Sequence, residues 1–118
     1  MKTILIVEDD ADIGELYFDT ISQETPHQAV LVPDGVAALN VVEEIIPDLF
    51  LLDYHLPVMN GLALYDKLHT IQGLEDIPAI LITAGVLEHD ISNRKLVGIS
   101  KPIDLEKLLD LIEDLLAE

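Results

Sequence analysis

Four places in this chain carry side chains able to do chemistry together: the acidic run Glu8-Asp9-Asp10, then Asp53, Thr83 and Lys101. Each stands at or just past the end of a short apolar run. An Asp in such a place is, taken alone, an ordinary turn or cap residue. Carboxylates, a hydroxyl and an ammonium brought together suit phosphoryl transfer to a carboxylate. Mg²⁺ prefers oxygen ligands, one or two carboxylates with waters and phosphate oxygens, which Asp10 and Asp53 can supply with Asp9 holding a coordinated water. A carboxylate can also be the nucleophile itself, as in enzymes that form aspartyl-phosphate. The loose transition state of that transfer spreads charge over the equatorial oxygens, so it needs a cation and hydrogen-bond donors more than acid-base machinery. Lys101 and Thr83 meet that need.

The elements that must position these groups follow from hydrophobic patterning. Leu49-Phe50-Leu51-Leu52 runs without alternation into Asp53, and Pro57, Asn60 and Gly61 forbid its continuation, which predicts a strand buried on both faces and ending in a loop. Thr3 to Val7, Gln28 to Val32, Pro78 to Thr83 and Leu96 to Ser100 read as further strands. Helical spacing predicts helices from about Ala11 to Glu24, from Val36 to Ile46, and from just after Gly61 through about Gln72. The second of these presents Val36, Leu39, Val42 and Ile46 on one side. Val86 to Lys95 is polar and poorly periodic, a short or irregular fourth helix at best, and Ile103 to Ala117 is a strong final helix. Five apolar strands alternating with helices predict a doubly wound α/β fold with a parallel sheet and right-handed crossovers. All strand carboxyl ends then share one edge, where open α/β sheets bind ligands, and the four polar places meet there.

Composition bounds the reading. The chain has 118 residues, half of them apolar, which fits a single domain over 1–118 with a proper core. With no Cys, disulfides and thiolate metal sites are excluded. The apolar start at Ile4 to Val7 meets Glu8-Asp9-Asp10 too early for a signal peptide or membrane span, so a cytoplasmic protein without membrane contact is expected. The net charge of -17, from 23 acidic against six basic residues, repels phosphate backbones, and no nucleic acid is expected as a partner.

The motifs in combination resemble the receiver domain of bacterial two-component response regulators, of the flavodoxin-like chemotaxis-regulator type. They are the acidic cluster after the first strand, the Asp-x-x-x-Pro-x-x-Asn-Gly pattern of Asp53, Pro57, Asn60 and Gly61, then Thr83-Ala84 and Lys101-Pro102. The resemblance spans the chain and implies strand order 2-1-3-4-5 with helices on both faces. It further implies Asp53 as phosphoacceptor, Asp9 and Asp10 with Asp53 and the His55 backbone carbonyl as Mg²⁺ ligands, Thr83 as the phosphate-sensing hydroxyl and Lys101 as the phosphoryl contact. It implies a cis Lys101-Pro102 bond, a histidine kinase or phosphotransfer protein as donor, and a separate effector protein. Two departures stand out: Gly98 occupies the position, three before the lysine, where the family usually has an aromatic switch residue, and the segment from Thr83 to Lys101 is short.

Several features have plainer readings. His55, two positions after Asp53, is either an exposed loop residue or one that tunes water access to the phosphoryl group, while His27, His69 and His89 read as surface residues. In the last helix Leu111 and Leu115 lie at the margin of a wide leucine stripe and offer a contact for a partner or a homodimer. Two other functions compete with the phosphoacceptor switch. A Mg²⁺-dependent phosphatase with an Asp nucleophile would want a second Asp where His55 stands. A pseudo-receiver that only binds protein would not need the intact acid, Thr and Lys set.

Overall fold

The computed structural model describes residues 1–85 and 94–117. Nine elements lie along the described residues: β1 (Thr3–Val7), α1 (Ala11–Glu24), β2 (Gln28–Val32), α2 (Gly35–Val41), β3 (Leu49–Asp53), α3 (Gly61–Leu68), β4 (Ala79–Thr83), β5 (Leu96–Ser100) and α4 (Leu105–Leu116). The strands form one parallel sheet in the order β2-β1-β3-β4-β5. This is the doubly wound flavodoxin-like order, with the predicted strand bounds reproduced closely. The irregular fourth helix expected within Val86 to Lys95 falls almost wholly outside the described residues.

Strand side chains alternate between two apolar layers. Leu5, Val7, Phe50, Leu52, Ala79 and Leu81 pack on one face against Ala38 and Val42 of the α2 region and Leu64, Tyr65 and Leu68 of α3. Ile4, Ile6, Leu49, Leu51, Ile80 and Ile82 pack on the other against Tyr17 and Ile21 of α1 and Leu108 and Ile112 of α4. Every residue of β3 and of β4 is buried, as the unalternating sequences require. At about 25 cal/mol per Å² of apolar surface removed from water, these two layers are the main favourable term in folding.

Two helices differ from expectation. The second ends at Val41 instead of Ile46, because the N–H groups of Glu43 and Glu44 bond back three residues, to Asn40 and Val41, and tighten the last turn. Its inward line is Gly35, Ala38 and Val42; Val36 and Ile46 face solvent. That face lies against α3 and the loop before it: a Cβ at Gly35 would sit in ordinary contact, 3.5 Å from both Leu64 Cδ1 and Met59 Cε. The third ends at Leu68, about a turn before Gln72, where His69 caps it and the chain turns towards Gly73 at φ 94°. Leu111 and Leu115 are half-buried against the α1 and α4 layer, so the leucine stripe is spent largely on the core.

Candidate functional site at the carboxyl edge

Strand order makes β1 and β3 neighbours at the centre of the sheet, with their crossover helices α1 and α3 on opposite faces. Their carboxyl ends form the crevice into which Glu8, Asp9 and Asp53 project. These three carboxylates each place an oxygen within 4.8 Å of one another. Asp53 and Glu8 are 4 % exposed, whereas Asp9 is exposed to solvent. Like charges at such separation repel by about 1 kcal/mol or more per pair at intermediate dielectric, and burial adds to the cost.

Glu8 bears most of that cost. Its Oε2 accepts from the Asp10 N–H at 3.1 Å, while Oε1 is buried with no hydrogen-bond partner among the described residues. Burial pushes the Glu8 carboxyl up to about 8, and the facing carboxylates of Asp53 and Asp9 push the same way. Tyr17 of α1 walls the crevice on one side; burial, then the charges of Glu8 and Asp53, raise its phenol to about 12.

Asp10 is placed differently from the sequence reading. Its Oδ1 accepts from the N–H groups of Asp12 and Ile13 at 3.0 and 3.1 Å, which makes it the N-cap of α1, and it is not one of the grouped carboxylates. Glu8 occupies the place given to Asp10. Among the described residues the four helices begin at this edge behind an Asp or Asn cap, Asp10, Asp34, Asn60 and Asp104, so caps and site acids are interleaved along it. Only the direction of the backbone at each strand end separates the two uses.

Asp53 is held from three sides. Lys101 Nζ lies 3.3 Å from Oδ1 and 3.2 Å from Oδ2, bringing an ammonium that is one-third exposed onto a buried carboxylate. The His55 N–H donates to Oδ1 at 2.9 Å, while the His55 side chain is exposed, with its ring edge-on to Tyr54 at 5.1 Å. Behind Asp53, Gly61 opens α3 so close to the strand that a Cβ there would overlap the Asp53 carbonyl oxygen. Its N–H donates to Tyr54 O at 2.9 Å, closing the loop on itself. At the loop tip Met59 N–H reaches back to Pro57 O at 2.7 Å around Val58, whose φ of 69° is a strained value for a β-branched residue.

Thr83 ends β4 next to β3, buried, with its Oγ accepting from Gly85 N–H at 3.2 Å. Its carbonyl takes the Lys101 N–H at 2.8 Å, so the ends of β4 and β5 are tied beside Asp53. The Lys101-Pro102 peptide is cis, as the resemblance implied. The site residues read from sequence therefore gather at one edge, Asp10 apart. Glu8 was visible as part of the acidic run, but its priority over Asp10 was not, since a capping carboxylate and a site carboxylate look alike in sequence.

Comparison with known proteins agrees with this geometry. Residues 4–113 match the family model for the response regulator receiver domain. The chain is 31 % identical over 121 residues to the polar-differentiation response regulator DivK of Brucella ovis, covering 99 % of this chain and 98 % of that protein. Among solved structures, the signal receiver domain of a signal transduction histidine kinase from Syntrophus aciditrophicus superposes with a TM-score of 0.87 at 30 % identity, over 99 % of this chain and 91 % of that one. The chemotaxis protein CheY4 of Vibrio cholerae shares the fold, with a TM-score of 0.90 at 21 % identity over 98 % of this chain and 99 % of that one. A match over nearly the whole chain, on a sheet whose carboxyl edge carries the acids, the threonine and the lysine, shows that this protein belongs to the response regulator receiver domains of two-component signalling.

Proposed function

We propose that this protein is a phosphorylation switch whose phosphoacceptor is Asp53. The observation that carries the reading is the Lys101 ammonium within 3.3 Å of both oxygens of a buried carboxylate at the end of the central strand. Receiver domains generally act as switches and not as metabolic enzymes, and they bind Mg²⁺ at an acidic pocket. The residues here fit that ion: Glu8 Oε1 is a buried oxygen without a partner among the described residues, and it faces two further carboxylates within 4.8 Å. Glu8, Asp9 and Asp53 would hold Mg²⁺ with the His55 backbone carbonyl, Glu8 standing in the role read for Asp10. When bound, the ion supplies positive charge to the phosphoryl oxygens and relieves the repulsion among these acids.

The chain's own groups do the rest. An Asp53 carboxylate oxygen forms the new bond to phosphorus as the donor's bond breaks and its leaving group departs. The His55 N–H holds the carboxylate's orientation, so the nucleophile is presented in a fixed plane. Lys101, now paired with that carboxylate, then neutralises a phosphoryl oxygen, and the Thr83 hydroxyl donates to another. Movement of Thr83 would pull on β5 through its carbonyl bond to Lys101 N–H.

Histidine kinases and effectors are the partners of receiver domains in two-component systems, and we take a histidine kinase or phosphotransfer protein as donor and a separate effector protein as target. We take the cytoplasm as the place of action; among the described residues no helix is long and apolar enough to cross a membrane. Gly98 lies opposite Leu81 in the sheet and has no side chain to turn inward, so the response leaves through the Thr83 loop and α4 in this reading. The test is intact-protein mass spectrometry after incubation with Mg²⁺ and a small acyl phosphate. One added phosphoryl group is expected, abolished by chelator; a chain that stays unmodified with Mg²⁺ present would favour the binding-only alternative.

A further inference from the structure

Both ring nitrogens of His69 lie 2.7 Å from a backbone carbonyl oxygen, Nδ1 from that of Tyr65 and Nε2 from that of Ile77. A carbonyl oxygen only accepts, so each contact asks for an N–H on the ring. Neutral imidazole has one N–H and imidazolium has two. With a single proton, one nitrogen would aim a lone pair at a carbonyl lone pair across 2.7 Å. The two carbonyls belong to different elements: Tyr65 lies in α3, and Ile77 leads into β4.

The surroundings suit a cation. The half-buried ring stacks on Tyr65 with centroids 3.8 Å apart and meets Phe50 of β3 edge-on at 5.7 Å. Charged neighbours come from each flanking segment. On α3 are Lys67 and Asp66; the Asp66 carboxyl is held low chiefly by its hydrogen bond from Arg94, with His69 adding to the effect. Before β4 is Asp76, paired with Lys95 at 3.0 Å. Before β5 are Arg94, with two bonds to Asp66 at 2.8 and 2.9 Å, and Lys95, whose N–H donates to the Tyr65 hydroxyl at 2.8 Å. His27 differs, since its Nδ1 accepts from the Lys2 N–H at 3.1 Å.

We propose that His69 is a proton-operated latch which, as imidazolium, fastens the end of α3 to the start of β4 through both carbonyls, and which releases one of them on losing a proton. The latch sits at the edge of the sheet opposite Asp53 and does not depend on the phosphoacceptor reading. It acts on the strand that carries Thr83 at its far end, so it makes the firmness of the α3–β4 connection depend on pH.

The test uses the full chain between about pH 5 and pH 8, the range in which histidine changes charge. Nitrogen NMR of the unmodified protein should show both His69 ring nitrogens protonated at the acid end and one proton lost on raising the pH. In parallel, the melting-temperature advantage of the native protein over His69→Phe, which keeps an aromatic ring but has no donors, should shrink by several degrees across that range. The other titratable groups are present in both proteins and cancel in the difference. A ring carrying one proton throughout, or an advantage that does not change with pH, overturns the proposal. The NMR measurement stands alone if His69→Phe does not fold.

Discussion

Asp10 Oδ1 takes two N–H groups of α1, whereas Glu8, two residues earlier, turns a carboxyl oxygen into the crevice with no partner to receive it among the described residues. Opposite predictions follow for the two. Asp10→Ala removes a cap and should cost about 1 kcal/mol of stability while leaving the gain from added Mg²⁺ intact. Glu8→Gln should stabilise the metal-free protein and reduce that gain. The pH dependence has a definite sign. Below about pH 4.5 Glu8 is protonated in both folded and unfolded chains; between 4.5 and about 8 the folded chain keeps a proton that the unfolded chain has lost. In chelator, stability therefore falls as pH rises through that window, and Glu8→Gln should remove this part of the slope. Thermal melts of the three proteins from pH 5 to 9 check this, and a Glu8→Gln slope parallel to the native one would contradict it. The sequence showed that acids, a threonine and a lysine would meet, yet not which acid of the run faces inward. In sequence His69 reads as a surface residue, whereas the ring is half-buried with its nitrogens against two backbone carbonyls, which no side-chain pattern reveals.

At the scale of elements, strands were the more legible class because β3 and β4 are buried on both faces and carry unbroken apolar runs. Helix ends were less legible. Apolar residues continue past Val41 to Ile46, but the last turn tightens after Val42 has joined the core, and Ile46 stays exposed. The inward face of α2 begins with Gly35 and Ala38, small residues that a hydrophobic pattern passes over. Gly61 is small for a definite reason, at the site itself. A methyl group there would meet the Asp53 backbone carbonyl, so Gly61→Ala must move either α3 or the end of β3. Overpacking of this kind costs about 1–3 kcal/mol, and here it also displaces the carboxylate from Lys101. The variant should melt lower and take up phosphoryl groups more slowly than native protein when both are folded. A variant matching the native rate would show that the loop has slack which the close contact denies.

At the scale of the whole molecule, the order β2-β1-β3-β4-β5 turns four separate stretches of sequence into one site, since it seats β1 beside β3 and ties the ends of β4 and β5 beside them. The net charge of -17 sets the field in which that site works: it disfavours anionic partners and favours a cation in the crevice. In the proposed reading, output differs from the pattern the resemblance implies, because Gly98 on β5 leaves no aromatic group to follow Thr83. The glycine is visible in sequence, whereas the tie of Lys101 N–H to Thr83 O, proposed as another route, needed the strands in register. Asp53 as the nucleophile is the centre of the proposed switch. Protein treated with Mg²⁺ and a small acyl phosphate, then reduced with borohydride, converts any acyl-phosphate aspartate to homoserine, and peptide mass mapping locates it. The account predicts homoserine at position 53 alone and none in Asp53→Asn; homoserine elsewhere, or equal modification of Asp53→Asn, would contradict it.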